Sequence, residues 1–451
     1  MTSAPGPAAA DPLQRVLAEL ATRYPAEDQM VPDLDRIRLL CDLLGSPQRA
    51  YPAIHLTGTN GKSSTARMVD ALLQAFGLRP GRYTSPHLDS VTERISLDGQ
   101  PITDERFAEV WDELAPFVEL VDSRMSTRMT FFEVLTAMAF AAFADAPVDV
   151  AVLEVGLGGL WDATNVVDAG TAVVLPVGLD HVPLLGTTLA EIATEKAGII
   201  AAGATVVLSQ QEPEAAEVLL RRCVEVGATV AREGLEFGVV ERVTAVGGQL
   251  LSLQGLGGRY DDVFLPLHGA HQAANAAAAL AAVEAFLGGG DKGMLDPELV
   301  REGFARVASP GRLEVVRTSP TVLLDAAHNA PGMTATVAAL GDVFAFTHLV
   351  AVVAVLGDKD VKAMLEVLEP AVASVVVTQN GSPRAMPVDA LADLAGDVFG
   401  EERVTIEDSL DDALSTAVGL ADAEAEYGGA GVIVTGSVVT VAEARTLLHR
   451  A

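Results

Sequence analysis

The chain has 451 residues, half of them hydrophobic and a fifth charged, the composition of a globular protein with ample material for buried sheets. That length exceeds what one hydrophobic core usually serves, so two or three domains are expected. The formal charge of −31 disfavours nucleic-acid binding through a basic face, and its field repels anions, so any phosphate site must be locally basic or hold metal ions.

The opening "MTSAPGPAAADP" has neither a basic flank nor an apolar h-region, and apolar runs are broken by charge before about eighteen residues. No export signal or membrane span is expected, which makes the cytoplasm the expected location. Cys41 and Cys223 lie far apart and offer neither metal-ligand spacing nor a disulfide framework. Ala53 to Gly77, "AIHLTGTNGKSSTARMVDALLQAFG", reads as a strand, a glycine loop and a helix. Between Gly58 and Gly61 small residues let successive N–H groups close on phosphate oxygens at a helix N-terminus. Lys62 would reach the distal phosphates and the Ser63 hydroxyl would face Mg²⁺. The loop is shorter than the general motif, with Leu56 where a first glycine would stand.

Three further β-rich runs, "VDVAVLEVG", "GTAVVLPVG" and "ATVVLS", alternate with helical stretches, the pattern of a doubly wound, mostly parallel sheet. Glu154 and His181 fall at strand ends, where such sheets bind ligands. Pattern alone reads Lys196, with Glu191 and Glu195 nearby, as a solvated lysine. From about Arg232 to Leu267 glycine pairs and short alternating runs indicate a small antiparallel insert. After a Pro310-Gly311 hinge the alternation restarts, and "TVLLDAAHN", "HLVAVVAVLGDKD", "SVVVTQN" and "GVIVTGSVV" are expected as four strands of a C-terminal Rossmann-like α/β domain. The expected division is residues 1–308 and 309–451. Asp325 and His328 fall in the turn after the first of these strands, and "VLGDKD" is another polar strand end.

The order of "TGTNGKSS", "TSPHLDSVTERI", "FFEVLTAMAF", "EVGLGGLWDATN", "LDHVPLLGTTLAEIATEKAGI", "GAHQAANAAAAL", "PGRLE", "DAAHN" and "VTGS" resembles the folylpolyglutamate synthase and dihydrofolate synthase family of the Mur ligase superfamily, over about Leu34 to Val441. The resemblance implies an ATP-dependent ligase that adds L-glutamate to dihydropteroate, to reduced folates or to both through an acyl phosphate. Thr57, Gly58, Thr59, Asn60, Gly61, Lys62, Ser63 and Ser64 would hold the triphosphate. Ser63, Ser85, Glu154 and His181 would bind Mg²⁺, two ions in all, the second through a carbamylated Lys196. Asn275, Arg312 and Asp325 match nucleotide contacts, and His328 a catalytic position. Asp33, Arg36, Thr130, Phe131, Phe132, Glu133, Trp161, Asp162 and Ala163 would meet the pterin. Leu160 stands where the family usually has arginine, and Ala330 where it usually has proline. A muramyl-peptide ligase and a non-catalytic nucleotide-binding regulator are the alternatives, and a monomer is expected.

Overall fold

The computed structural model describes residues 11–24, 33–288, 293–424 and 429–450, so most of the stretch read for targeting signals lies outside it. No described helix is long and apolar enough to cross a membrane. The first sheet holds β1 (Ala53–Thr57), β2 (Pro80–Tyr83), β3 (Ile95–Leu97), β4 (Gln100–Pro101), β5 (Val150–Glu154), β6 (Thr171–Val174), β7 (Thr205–Leu208) and β8 (Thr229–Arg232). Its order is β4-β3-β2-β5-β1-β6-β7-β8. β1 runs parallel between β5 and β6, with Leu56 beside Glu154 and Thr57 beside Val174. The carboxyl ends of these three strands therefore emerge side by side.

β1, β5, β6 and β7 are the four apolar runs visible in the sequence. β2, "PGRY", escapes that reading because it opens on proline and carries an arginine. It is buried nonetheless, since Arg82 pairs with Asp70 and donates to Ser96 Oγ at 2.8 Å. Arg82 is thus spent inside the fold and is not a free cation for phosphate.

The antiparallel insert is β9 (Gly238–Ala245), β10 (Gly248–Gln254) and β11 (Arg259–Leu265). It packs on the helix Ala270–Leu287, whose run of buried alanines lets sheet and helix approach closely. The Glu284 carboxylate locks them, accepting from Leu256 N at 2.5 Å, Tyr260 Oη at 2.8 Å and Gly257 N at 3.0 Å.

The C-terminal sheet holds β12 (Glu314–Thr318), β13 (Thr321–Leu324), β14 (His348–Val353), β15 (Ser374–Val377), β16 (Val404–Ile406) and β17 (Ala430–Thr435) in the order β12-β13-β17-β14-β15-β16. All but β12 are parallel. The four expected strands are β13, β14, β15 and β17; the short edge strands β12 and β16 lack an apolar run. Among the described residues no buried hydrophobic cluster mixes the two halves, although the partly buried Leu88 joins a cluster of the second half and the Phe344 ring meets His268 edge-on with centroids 5.6 Å apart. Polar groups span the seam as well. Arg445 bridges Asp89 and Glu314, and Arg242 pairs with Asp342 at 2.6 Å.

Replacing Glu284 by leucine should cost about 3 kcal/mol, because two amides and a hydroxyl lose their acceptor in the interior. Urea unfolding of the variant measures this, and a loss below about 1 kcal/mol would mean that water replaces the carboxylate.

Candidate active site

β1 turns through residues 58–61 into the helix Lys62–Ala75. Gly61 lies in the left-handed region at φ 85°, and a Cβ there would sit 2.6 Å from Asn275 Oδ1, so only glycine fits the turn without strain. The turn aims the helix N-terminus into a pocket lined by the loop, Ser63, Ser64, Ser85, Glu154, Gly156, Asp180, His181, Lys196, Arg312 and His328. Residues from both halves of the chain thus meet there.

Lys62 Nζ folds back to donate to the carbonyls of Gly58 at 3.0 Å and Thr59 at 3.1 Å. Glu154 accepts from Ser63 Oγ at 2.8 Å and Ser85 N at 3.1 Å, and burial pushes its carboxyl above the usual range against the pull of Lys62. The pattern reading of Lys196 as solvated fails, since the residue is only 3% exposed. Its helix, Leu189–Ala197, turns that face inward, while Glu191 closes the helix's own capping box and the Glu195 carbonyl accepts Leu160 N. Lys196 Nζ donates to Gly58 O at 3.0 Å, and burial, reinforced by Lys62, pulls its ammonium down to about 7.

His181 sits at φ 50° with Nε2 3.3 Å from Lys359 Nζ, and burial holds its imidazole down at about 4. His328 Nδ1 lies 2.9 Å from the Ala326 carbonyl, which leaves Nε2 unprotonated, and burial brings this ring to about 4 as well. Asp180 is the acid of the group. Burial works against its charge, but His181 and Lys359 outweigh that and hold the carboxyl well below the usual range.

Thr57 and Asn275 lie behind the pocket wall, whereas Ser64 lines it with its hydroxyl turned to a neighbour. Thr57 Oγ1 donates to Gly158 O at 2.8 Å. The Ser64 hydroxyl meets Ser309 Oγ at 3.0 Å, and Asn275 Nδ2 donates to Gln272 Oε1 at 3.2 Å. Asp325 does not line the pocket. Its carboxylate accepts from Thr336 Oγ1 at 2.7 Å, Leu313 N at 2.9 Å and Ala327 N at 3.1 Å, which pins the hinge to the second sheet.

The residues expected at the pterin form a separate, adjoining group. Arg36 donates to Glu133 Oε1 at 2.9 Å and to Asp33 Oδ2 at 3.2 Å, while Glu133 and Thr130 close a capping box on the helix Phe131–Asp145. Phe131 stacks on Tyr24 with centroids 4.2 Å apart and carries the Arg94 guanidinium over its ring. Phe132 touches the pocket wall, since a Cβ on Gly156 would lie 2.4 Å from its ring. Asp162 accepts from Thr164 Oγ1 at 2.5 Å, Leu157 N at 2.9 Å and Thr164 N at 3.0 Å, holding that wall from behind. Trp161 donates to the Glu195 side chain, and Ala163 is buried. Leu160 is 50% exposed and belongs to no core cluster, so packing does not dictate an apolar side chain there.

Sequence reasoning missed Lys359 and Asn329, whose partner Asp180 stands 179 and 149 residues earlier. The available signal was the polar strand end "VLGDKD", which names the lysine but not its partner.

Residues 56–283 match the Mur ligase middle domain and residues 311–438 the Mur ligase glutamate ligase domain. The chain is 53% identical to the dihydrofolate synthase/folylpolyglutamate synthase of Mycobacterium tuberculosis, over 96% of this chain and 93% of that protein. The structure of the folylpolyglutamate synthase of that organism, complexed with ADP and AMPPCP, superposes with a TM-score of 0.92 at 54% identity, covering 98% of this chain and 99% of the other. An FPGS–AMPPCP–folate complex superposes at 0.84 with 31% identity, over 97% and 99% of the two chains.

The lowered Lys196 value has a pH signature. Between about 7 and the ordinary 10.5 the unfolded chain holds a proton on this amine that the folded chain lacks, so stability rises with pH across that window. Lys196→Met should flatten that rise. Thermal melts of both proteins from pH 6.5 to 10 check this, and parallel curves would place the amine in water.

Proposed function

Because the chain belongs to the folylpolyglutamate synthase and dihydrofolate synthase family of Mur ligases, we propose that it joins L-glutamate both to dihydropteroate and to the glutamate chain of reduced folates, using ATP. The observation that carries this reading is the single pocket in which the phosphate loop, Glu154 and Lys196 face Arg312 and His328 from beyond the hinge, beside the wall formed by Phe132 and Asp162. The division into residues 1–308 and 309–451, and action as a cytoplasmic monomer, belong to the same reading.

In it the loop amides of residues 58–64 hold the triphosphate. Lys62 leaves the Gly58 and Thr59 carbonyls for the distal phosphates, where charge gathers as the phosphoryl group moves. An oxygen of the substrate carboxylate bonds to the γ-phosphorus and ADP departs; the glutamate nitrogen then bonds to the carbonyl carbon and phosphate departs. Asn275 and Asp325 act by shaping the loop and the hinge, and Arg312 brings a guanidinium to the phosphates. His328 Nε2, unprotonated, is an acceptor that orients the incoming amine.

The donor set fits a hard divalent cation. Glu154 is a buried carboxylate met by a hydroxyl and an amide, and Ser63, Ser85 and His181 stand around the same pocket. Two Mg²⁺ ions held there would neutralise the phosphates as they enter. Lys196, whose ammonium burial pulls down to about 7, is suited to bond CO₂ through its neutral amine and release a proton, which turns an ammonium into an oxygen ligand. Asp33, Arg36, Thr130, Phe131, Glu133, Trp161 and Ala163 form or brace the pterin wall.

Glutamate-dependent ADP release by the purified protein with Mg²⁺ should occur with dihydropteroate and with tetrahydrofolate, and not with a UDP-muramyl peptide. A folded Lys62→Ala protein should lose at least about a hundredfold in kcat; near-normal turnover would remove the loop from the reaction.

Leu160→Arg returns a fork of donors to the pterin-side loop from a half-exposed position. It should raise kcat/KM for the better pterin substrate about tenfold, equivalent to about 1.4 kcal/mol, with little change in melting temperature. A drop in both quantities would reject a substrate-clamping role.

A further inference from the structure

Asp180 belongs to the first half of the chain and faces the phosphate pocket, yet donors from the second half occupy both of its oxygens. Lys359 Nζ lies 2.7 Å from Oδ1, and Asn329 Nδ2 donates to Oδ2 at 2.8 Å. Asn329 in turn exchanges amide hydrogen bonds with Asn60 of the phosphate loop, at 3.0 and 3.1 Å. Lys359 also meets His181 Nε2 at 3.3 Å. The side chains of Lys359 and Asp180 are 6% and 10% exposed, so neither charge is screened by bulk water.

A bare carboxylate in this position would repel a triphosphate. Lys359 cancels it, and because Lys359 stands on the second half, the cancellation exists only while the two halves are together. We propose that the Asp180–Lys359 pair couples closure of the cleft to affinity for ATP, with Lys359 a positioning residue for the ligation. The proposal rests on the reading of this pocket as the ATP site. Closure makes the pocket less negative and so favours the polyanion, and by reciprocity the bound polyanion favours closure. The His181 contact extends the control, since the cation that tethers Asp180 also orients this imidazole.

The test measures AMPPCP affinity by calorimetry with Mg²⁺, and small-angle scattering of the ligand-free proteins, on full-length wild type and four variants: Lys359→Met, Lys359→Arg, Asp180→Asn and the double variant Asp180→Asn/Lys359→Met. Lys359→Met should weaken AMPPCP binding about tenfold and expand the scattering profile, and Lys359→Arg should preserve both. Asp180→Asn should expand the profile without weakening AMPPCP, and adding it to Lys359→Met should restore the affinity but leave the expansion. A structural role for the lysine alone would not produce that rescue. Unchanged affinity in Lys359→Met, or a loss that Asp180→Asn fails to relieve, would overturn the pairing. If Lys359→Met does not fold, an unexpanded Asp180→Asn protein does so by itself. Wild-type protein that binds no AMPPCP would instead overturn the pocket reading and this proposal with it.

Discussion

Two lysines share one carbonyl oxygen: Lys62 Nζ and Lys196 Nζ each donate to Gly58 O at 3.0 Å. Two ammonium groups brought together at one acceptor in a buried pocket repel each other, and the strain is relieved by taking charge off one of them or by bringing in an anion. Both remedies suit a phosphate site. In a chain of charge −31 this knot is where an anion finds local positive potential, and the geometry around it follows from holding it in place. β1 delivers Gly58, β5 delivers Glu154, and β6 leads to Asp180 and His181, all at one sheet edge.

The seam between the halves is built on the opposite principle from the cores. Each sheet buries aliphatic clusters that exclude water, whereas the seam is joined by ion pairs and amide bonds from Arg445, Arg242, Asn329 and Lys359. Contacts of that kind leave no shared buried hydrophobic cluster between the two halves among the described residues. Asp325 marks where rigidity resumes, since it ties the hinge amide of Leu313 to β13 and to the helix Ala330–Val343.

Several buried carboxylates are held by partners within the fold. Glu133 is held by Arg36 and a capping box, Asp162 by Thr164 and Leu157, and Glu284 by Tyr260 and two amides. Each sets the direction of a neighbouring loop or helix, and in Asp162 that loop is the wall of the phosphate pocket. A buried acid held by such partners fixes the shape of the site around it.

The sequence by itself determined the doubly wound plan, the antiparallel insert, the second α/β unit and the phosphate loop, because each is written in local signals: apolar runs of strand length, glycine spacing and a lysine at a helix start. It also put Glu154 at a strand end, whereas His181 stands beyond the end of β6 at Val174, at the start of the short helix Val182–Leu185. Only the tertiary structure decided which polar residues face the pocket. Lys196 looked solvated beside two glutamates, yet packing turns it inward. Asp325 matched a nucleotide contact by resemblance, and its carboxylate accepts from Leu313, Ala327 and Thr336. Asp180 and Lys359 are 179 residues apart, and only the meeting of two separately folded sheets makes them partners. Periodicity records how a segment meets its own core, whereas the partner of a buried charge is chosen by long-range packing, which no local pattern encodes.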